Sequence, residues 1–287
     1  MPLTSDLAIT PIAILSALPQ EQRGLVELLQ RPRKVIHASR DFWLGDLHGQ
    51  PVVLALSKIG KVAAATTTTA LIERFGVRRI VFTGVAGGLG HGVKVGDVVV
   101  ATDFVQHDLD ASPLFPRYEV PLYGKTRFHC DAALSALLFE ASCGALANES
   151  LVAHGFEGAC VHQGLIASGD RFVSGADESS RLRELMAGAG HAVLAVEMEG
   201  AAVAQVCMDY GVPFAVMRTV SDRADDSAHV DFPAFVDAVA SRYAHAIIER
   251  FLHLLLKKGL RNQSLSTAKL SSYRDSEKPV FQAFQNQ

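Results

Sequence analysis

What most constrains this chain is the alternation of short, uninterrupted apolar runs with helical patterns along most of its length. Pro11 to Leu18 (PIAILSAL) is one such run, followed by Pro19 and a helical pattern through Leu29. Phe42 to Leu47 and Val52 to Ser57 flank a His-Gly-Gln-Pro turn and read as a hairpin. Gly60 to Phe75, rich in Ala and Thr, reads as a helix, and Arg79 to Thr83 as a buried strand ending in Gly84-Val85-Ala86-Gly87-Gly88. Strands follow at Asp97 to Asp103, Gln163 to Ser168, Ala192 to Val196 and Pro213 to Val220. Between and after them lie helices at Asp131 to Leu146, at Ser179 to Met186, up to Tyr210 and from Pro233 to Leu256. Strands that lack polar alternation are buried on both faces, so helices must cover the sheet on both sides. No linker separates two cores, and the pattern predicts a single α/β domain over 11–256. From Lys257 to Gln287 the composition turns to Ser, Gln, Asn and Lys, with six Lys/Arg against two acids, and predicts a weakly ordered basic extension.

Composition narrows the function classes. A net charge of −3 gives no electrostatic reason to expect nucleic acid as a partner. No apolar run approaches the ~20 residues of a membrane span. Cys130, Cys143, Cys160 and Cys207 stand far apart, which suits buried thiols better than a disulfide framework or a zinc site. The first residues, Met-Pro-Leu-Thr-Ser-Asp, lack the basic start of a signal peptide, so a cytoplasmic protein is expected.

Open α/β sheets bind ligands at the carboxyl ends of their strands, and five such ends here carry chemistry-capable residues. After the first strand, Pro19 suits the opening turn of a helix and places Glu21 near its positive end, where a carboxylate tends to stay ionised. A surface Glu complementing the dipole would look the same. The glycines of Thr83 to Gly90 allow close backbone approach to a ligand or simply make a tight turn. Their spacing is not GxGxxG and a strand follows, which disfavours a dinucleotide fold. Ser168-Gly169-Asp170-Arg171-Phe172-Val173 ends a strand with an aromatic ring that could stack on a flat heterocycle or pack in the core. In Val196-Glu197-Met198-Glu199 two carboxylates need partners if buried, and vicinal hydroxyls of a ribose would satisfy Glu199. In Arg218-Thr219-Val220-Ser221-Asp222 the period of 2 puts Arg218 and Asp222 on one side of their strand, facing one site or paired with each other. His107-Asp108-Leu109-Asp110 has metal-ligand residue types but no second group to complete a site, and no GxSxG elbow is present.

Taken in order, Ser16 to Glu21, Ser57 to Ala64, Thr83 to Leu89, Lys94 to Asp97, Ser168 to Phe172, Val196 to Glu199 and Arg218 to Asp222 resemble the 5′-methylthioadenosine/S-adenosylhomocysteine nucleosidases of the purine nucleoside phosphorylase superfamily. Each motif alone is weak, whereas seven in order are specific. The resemblance implies a three-layer α/β/α fold around a mixed, partly barrel-like sheet, a homodimer, no cofactor or metal, and a place in methionine salvage. It assigns Asp222 as the acid that protonates adenine N7 and Glu21 as the base for the attacking water. It gives Glu199 the ribose hydroxyls, Met198 the ribose face, Arg218 the placing of water, Phe172 the stacking on adenine and Val173 the reading of its edge. Ser221 and Val85 join the substrate-binding set. The loop holding Ala111, Leu114 and Pro121 corresponds to one that reaches into the neighbouring subunit's 5′-thio pocket. Val85 stands where the family commonly has Ser, a departure worth ~1 kcal/mol if one neutral hydrogen bond is lost. The same acid and base would serve a hydrolase of another adenine nucleoside, such as aminodeoxyfutalosine. A phosphorylase would want an additional basic phosphate clamp, and a non-catalytic binding protein of this fold would be expected to lack Glu21 or Asp222.

Overall fold

The computed structural model describes residues 10–22, 24–148, 151, 158–224, 235 and 239–258. The expected helix start at Pro233 and nearly all of the basic extension lie outside these residues. Among the described residues ten strands form one sheet: β1 (Ile12–Ser16), β2 (Gln30–His37), β3 (Arg40–Leu47), β4 (Gln50–Leu56), β5 (Arg79–Gly88), β6 (Val98–Gln106), β7 (Phe128–His129), β8 (Val161–Ser168), β9 (Val193–Glu197) and β10 (Phe214–Asp222). The described helices are α1 (Pro19–Gln22), α2 (Lys61–Glu73), α3 (Ala132–Leu146), α4 (Ala176–Gly188), α5 (Gly200–Tyr210) and α6 (Ser241–Lys257).

The sheet is mixed and closes on itself in part. β10 pairs with β6, β6 with β8, β8 with β9, β9 with β5, and β5 again with β10, a five-stranded ring. From β5 the sheet continues outward through β1, β4, β3 and β2. Alternation along the central strands divides the core. Ile12 and Ile14 of β1 pack in one cluster with α3 and α6, whereas Ala13 and Leu15 pack in another with α2 and α5. Val81 and Met217 repeat the first choice, Ile80 and Val216 the second. That is the three-layer α/β/α arrangement, with the period of 2 assigning each strand residue to one helical layer.

Two sequence expectations need correction. The helix read from Pro19 through Leu29 ends at Gln22, and residues 24–28 form turns. Leu25 and Leu29, buried and four apart, gave the helical pattern, but each N–H reaches back only three residues, to Gln22 and Val26. Strand β2, Gln-Arg-Pro-Arg-Lys-Val-Ile-His, was not foreseen. It is an edge strand, exposed at all but one position, so no apolar alternation marks it, and its Pro and cations belong to the edge role.

Candidate active site

All five strand ends singled out in the sequence converge on one cavity of about 330 Å³. Ala17, Leu18 and Glu21 follow β1, Val85 to Gly87 end β5, Arg171 to Val173 follow β8, Val196 to Glu199 end β9, and Arg218 and Asp222 come from β10. Ile59, between β4 and α2, completes the wall.

Glu21 is buried at 2% exposure. Its Oε2 accepts from the N–H groups of Ala17 (2.7 Å) and Leu18 (2.8 Å), and its Oε1 from Val85 (3.1 Å). Burial raises its pKa above the ordinary value, opposed by those three N–H donors and the charge of Arg218. The sequence argument from a helix dipole therefore has a different basis: α1 is only four residues long, and directed N–H groups take the dipole's place.

Gly84 explains why glycines end β5. A Cβ there would stand 3.0 Å from Glu21 Oε1 and 3.1 Å from Arg218 Nη1, so the bare backbone lets these two groups lie over the strand. At Gly87 a Cβ would meet Asp222 Oδ1 at 3.1 Å. The glycines make room for the protein's own ionisable side chains.

Arg218 is 1% exposed. Its Nη2 is 2.7 Å from Glu197 Oε2, and its guanidinium carbon lies 3.9 Å from the centroid of the Phe82 ring. The Arg218–Asp222 pairing left open by the sequence is replaced by an Arg218–Glu197 pair. Glu197, not singled out as a site residue, also accepts from the Ser168 hydroxyl and from the N–H of Gly200 at 2.9 Å. The neighbouring carboxylates in the motif were its only sequence signal. Glu199 accepts from Gly60 N–H at 2.8 Å, and burial, followed by the charge of Glu197, pushes its pKa up to about 8.

Asp222 is 1% exposed and follows a break in the β10 register, with Val220 opposite Ala86 and Asp222 opposite Gly87. Arg218 and Asp222 nonetheless both line the cavity, as the period of 2 predicts, with the ladder irregularity lying between Val220 and Asp222. Asp222 Oδ1 accepts from Ala224 N–H at 2.8 Å, and Oδ2 lies 2.7 Å from Ser221 Oγ. Ser221 is fully buried behind Asp222, outside the cavity wall, with its Oγ 3.3 Å from the Ala86 carbonyl. A hydroxyl donates one proton and accepts two, so Ser221 can donate to an ionised Asp222, or accept from a protonated one while donating to Ala86.

Phe172 is 42% exposed and Val173 is buried, and both line the cavity with Met198 and Val85. Their loop is braced from below. Lys61 Nζ is 2.5 Å from Asp108, Lys61 N–H donates to Asp170 at 3.0 Å, and Asp170 N–H donates to Asp108 at 2.8 Å. Burial alone would raise the Asp108 pKa, but Lys61 and the Asp170 N–H bring it below the ordinary value. The acid of the metal-like His107-Asp108 sequence is thus engaged with a lysine. Ala111, Leu114 and Pro121 lie outside the cavity wall of their own chain, with Leu114 75% exposed.

Residues 11–253 match the model of the phosphorylase superfamily. The chain belongs to the phosphorylase superfamily. Within this superfamily it is 36% identical over 238 residues to a 5′-methylthioadenosine/S-adenosylhomocysteine nucleosidase of Bacillus thuringiensis (strain Al Hakam), covering 83% of this chain and 96% of that one. A nucleosidase of the same name from Neisseria meningitidis, solved with methylthio-immucillin-A, superposes with a TM-score of 0.73 at 38% identity, covering 85% and 98% of the two chains. The futalosine hydrolase of Helicobacter pylori is similar too, with a TM-score of 0.74, 33% identity and coverage of 85% and 98%. The superfamily fold is thus the one described above, with its sheet ring and flanking helices.

Proposed function

We propose that the protein hydrolyses the N-glycosidic bond of 5′-thio-substituted adenosines, releasing adenine and the thioribose. The observation that carries this reading is the meeting, in one cavity, of two buried carboxyl groups with different supports: Glu21 held by three backbone N–H groups and Asp222 backed by a hydroxyl. Adenine lies against Phe172 with its edge at the Val173 backbone, and Asp222 gives its proton to N7. Glu199 accepts from the ribose hydroxyls, and Met198 covers the ribose face. Water, placed by Glu21 and Arg218, attacks C1′ as the bond to N9 breaks. Its proton passes to Glu21, and adenine leaves neutral. The bond breaks through an oxocarbenium-like state, whose positive charge is favoured by the surrounding carboxylates.

The same wall favours water over phosphate. Glu21, Glu197, Glu199 and Asp222 line the cavity, while Arg218 is already paired with Glu197 and Arg171 lies 3.0 Å from Glu178. Among the described residues of this wall a phosphate dianion would meet no free cationic clamp. The test is incubation with methylthioadenosine, with and without phosphate, and identification of the sugar. Free methylthioribose supports hydrolysis; methylthioribose 1-phosphate overturns it. The futalosine hydrolase likeness sustains a second reading, cleavage of another adenine nucleoside such as aminodeoxyfutalosine, which the same assay with that substrate decides.

The exposed Leu114 and its loop support a homodimer in which Ala111, Leu114 and Pro121 complete the partner's 5′-thio pocket. No cofactor enters the chemistry, and the reading fits a cytoplasmic enzyme of methionine salvage. Among the described residues no helix is long and apolar enough to cross a membrane.

A further inference from the structure

A second cavity, of about 520 Å³, adjoins the first and shares Ala17, Leu18 and Ile59 with it as a common wall. Its other side is built from the β2–β3 hairpin tip and the end of β4, which contribute Ser39, Arg40, Asp41 and Lys58. We infer that this second cavity is a subsite for a carboxylate-bearing 5′ substituent, with Arg40 and Lys58 binding the carboxylate. The inference rests on the nucleoside reading above and deepens it, since it assigns the determinants of substrate choice at the 5′ end.

The direction of the substrate follows from the first cavity. With adenine between Phe172 and Asp222 and the ribose hydroxyls on Glu199, the 5′ carbon points toward the remaining apolar wall. Glu199 is anchored to Gly60 N–H, and the residue before Gly60 is Ile59, 56% exposed. A thioether chain leaving the ribose passes between Ile59 and Leu18 and enters the second cavity. S-adenosylhomocysteine ends such a chain in an amino-acid group, whereas methylthioadenosine stops at a methyl and does not reach it.

The charges at the far side are arranged for an anion. Among the described residues Arg40 bonds only carbonyl oxygens, those of Ala38 at 2.8 Å and Ala63 at 3.3 Å, and its buried Nε has no hydrogen-bond partner. Lys58 has no ion-pair partner among the described residues. Asp41, the one acid on this wall, is 2.7 Å from Lys34. Two cations without counterions among the described residues therefore line one space, and the nearby carboxylate is already matched.

The backbone supplies an independent observation. Ala38, Ser39 and Lys58 all adopt left-handed conformations, with φ of 48°, 57° and 64°. A two-residue hairpin turn of this hand ordinarily takes Asn-Gly, and a lysine with positive φ is uncommon. Backbone of this kind gathers at ligand-binding sites, where the position of a side chain matters more than local ease. Here Ser39 and Lys58 line one cavity, and Ala38 precedes Ser39 in the turn that presents Arg40 to it.

The test uses the ratio of kcat/KM for S-adenosylhomocysteine to that for methylthioadenosine. Lys58→Gly suits the left-handed backbone, so it removes the charge without straining the fold. Arg40→Gln keeps a donor for the carbonyl of Ala63. Each variant is expected to lower the ratio about tenfold, through KM for S-adenosylhomocysteine, and Lys58→Glu to lower it further. A ratio within twofold of the wild type in all three variants overturns the inference. If the wild type cleaves both substrates and the ratio does not move, only this subsite fails. If it cleaves neither, the functional reading fails and takes the subsite with it.

Discussion

Arg218 and Glu197 form a buried ion pair at 2.7 Å, with side chains 1% and 3% exposed. Glu197 is thereby neutralised by the cation that the sequence had suggested for Asp222. Removing one partner of such a pair leaves a charge buried without compensation, at a cost of about 3–5 kcal/mol. Arg218→Leu is expected to lose stability in that range by urea denaturation, and the double variant Arg218→Leu/Glu197→Gln to regain part of it. Additive losses would show that the two side chains do not depend on each other.

Asp222→Asn keeps size and hydrogen-bonding capacity but has no acidic proton. General acids contribute typically ~10²–10⁴-fold, so kcat for methylthioadenosine should fall by at least that range. Glu21→Gln should also cripple turnover, through loss of water activation. A substrate whose leaving group needs no protonation separates the roles: it should restore much of the Asn variant's rate and little of the Gln variant's. Equal rescue of both would remove Asp222 from the role of acid.

Glu199 links stability to pH. Its ordinary value is 4.5 and its native value about 8, so between these limits the folded protein holds a proton that the unfolded chain has released. Stability from this group is therefore fully present below 4.5 and is lost as pH rises toward 8. Burial shifts Glu21 in the same direction. The Tm of the free protein, measured across this window against Glu199→Gln, should show the variant gaining on the wild type as pH increases. A difference that stays constant with pH would contradict the raised value.

Val85 contributes its N–H to Glu21 at 3.1 Å and its side chain to the cavity wall. Val85→Ser leaves the first contribution in place and offers one neutral hydrogen bond to the water, worth ~1 kcal/mol, which is less than tenfold in rate. Steady-state rates for the variant are expected within about tenfold of wild type. A hundredfold change in either direction would reveal a role for the Val85 side chain beyond lining.

Much of this site was legible because strand ends carry ligands in open α/β sheets, and Glu21, Phe172, Glu199, Arg218 and Asp222 all sit just beyond apolar runs. Period and composition also located most strands and helices. What they missed was non-local or unpatterned. The edge strand β2 has no apolar alternation because its side chains face water at nearly every position. The irregularity at Ser221 arises from pairing with β5, a strand more than a hundred residues away in sequence, so Ser221 turned out to sit behind the acid. Glu197 was visible as a carboxylate beside a Met, but only the ring closure, which sets β9 and β10 on either side of β5, shows that Arg218 is its counterion. The second cavity depends on left-handed backbone at Ala38, Ser39 and Lys58, which nothing in those residue types announces.

Closure of the ring at the β5–β10 seam has a consequence for how such a protein diversifies. Val85, which supports the proposed base, pairs with Thr219, and Gly87 pairs with Asp222, so both halves of the chemistry are pinned to adjacent strands by the same ladder. The distance between them is therefore tied to the sheet, with the short turn after β1 as the one connecting segment that carries the base. The β2–β3 hairpin lies three strands outside that seam, beyond β1 and β4. Insertions, charge changes and new turns there can retune which substrate is accepted while the bond-breaking apparatus stays untouched, so selectivity and reactivity are free to evolve on separate clocks.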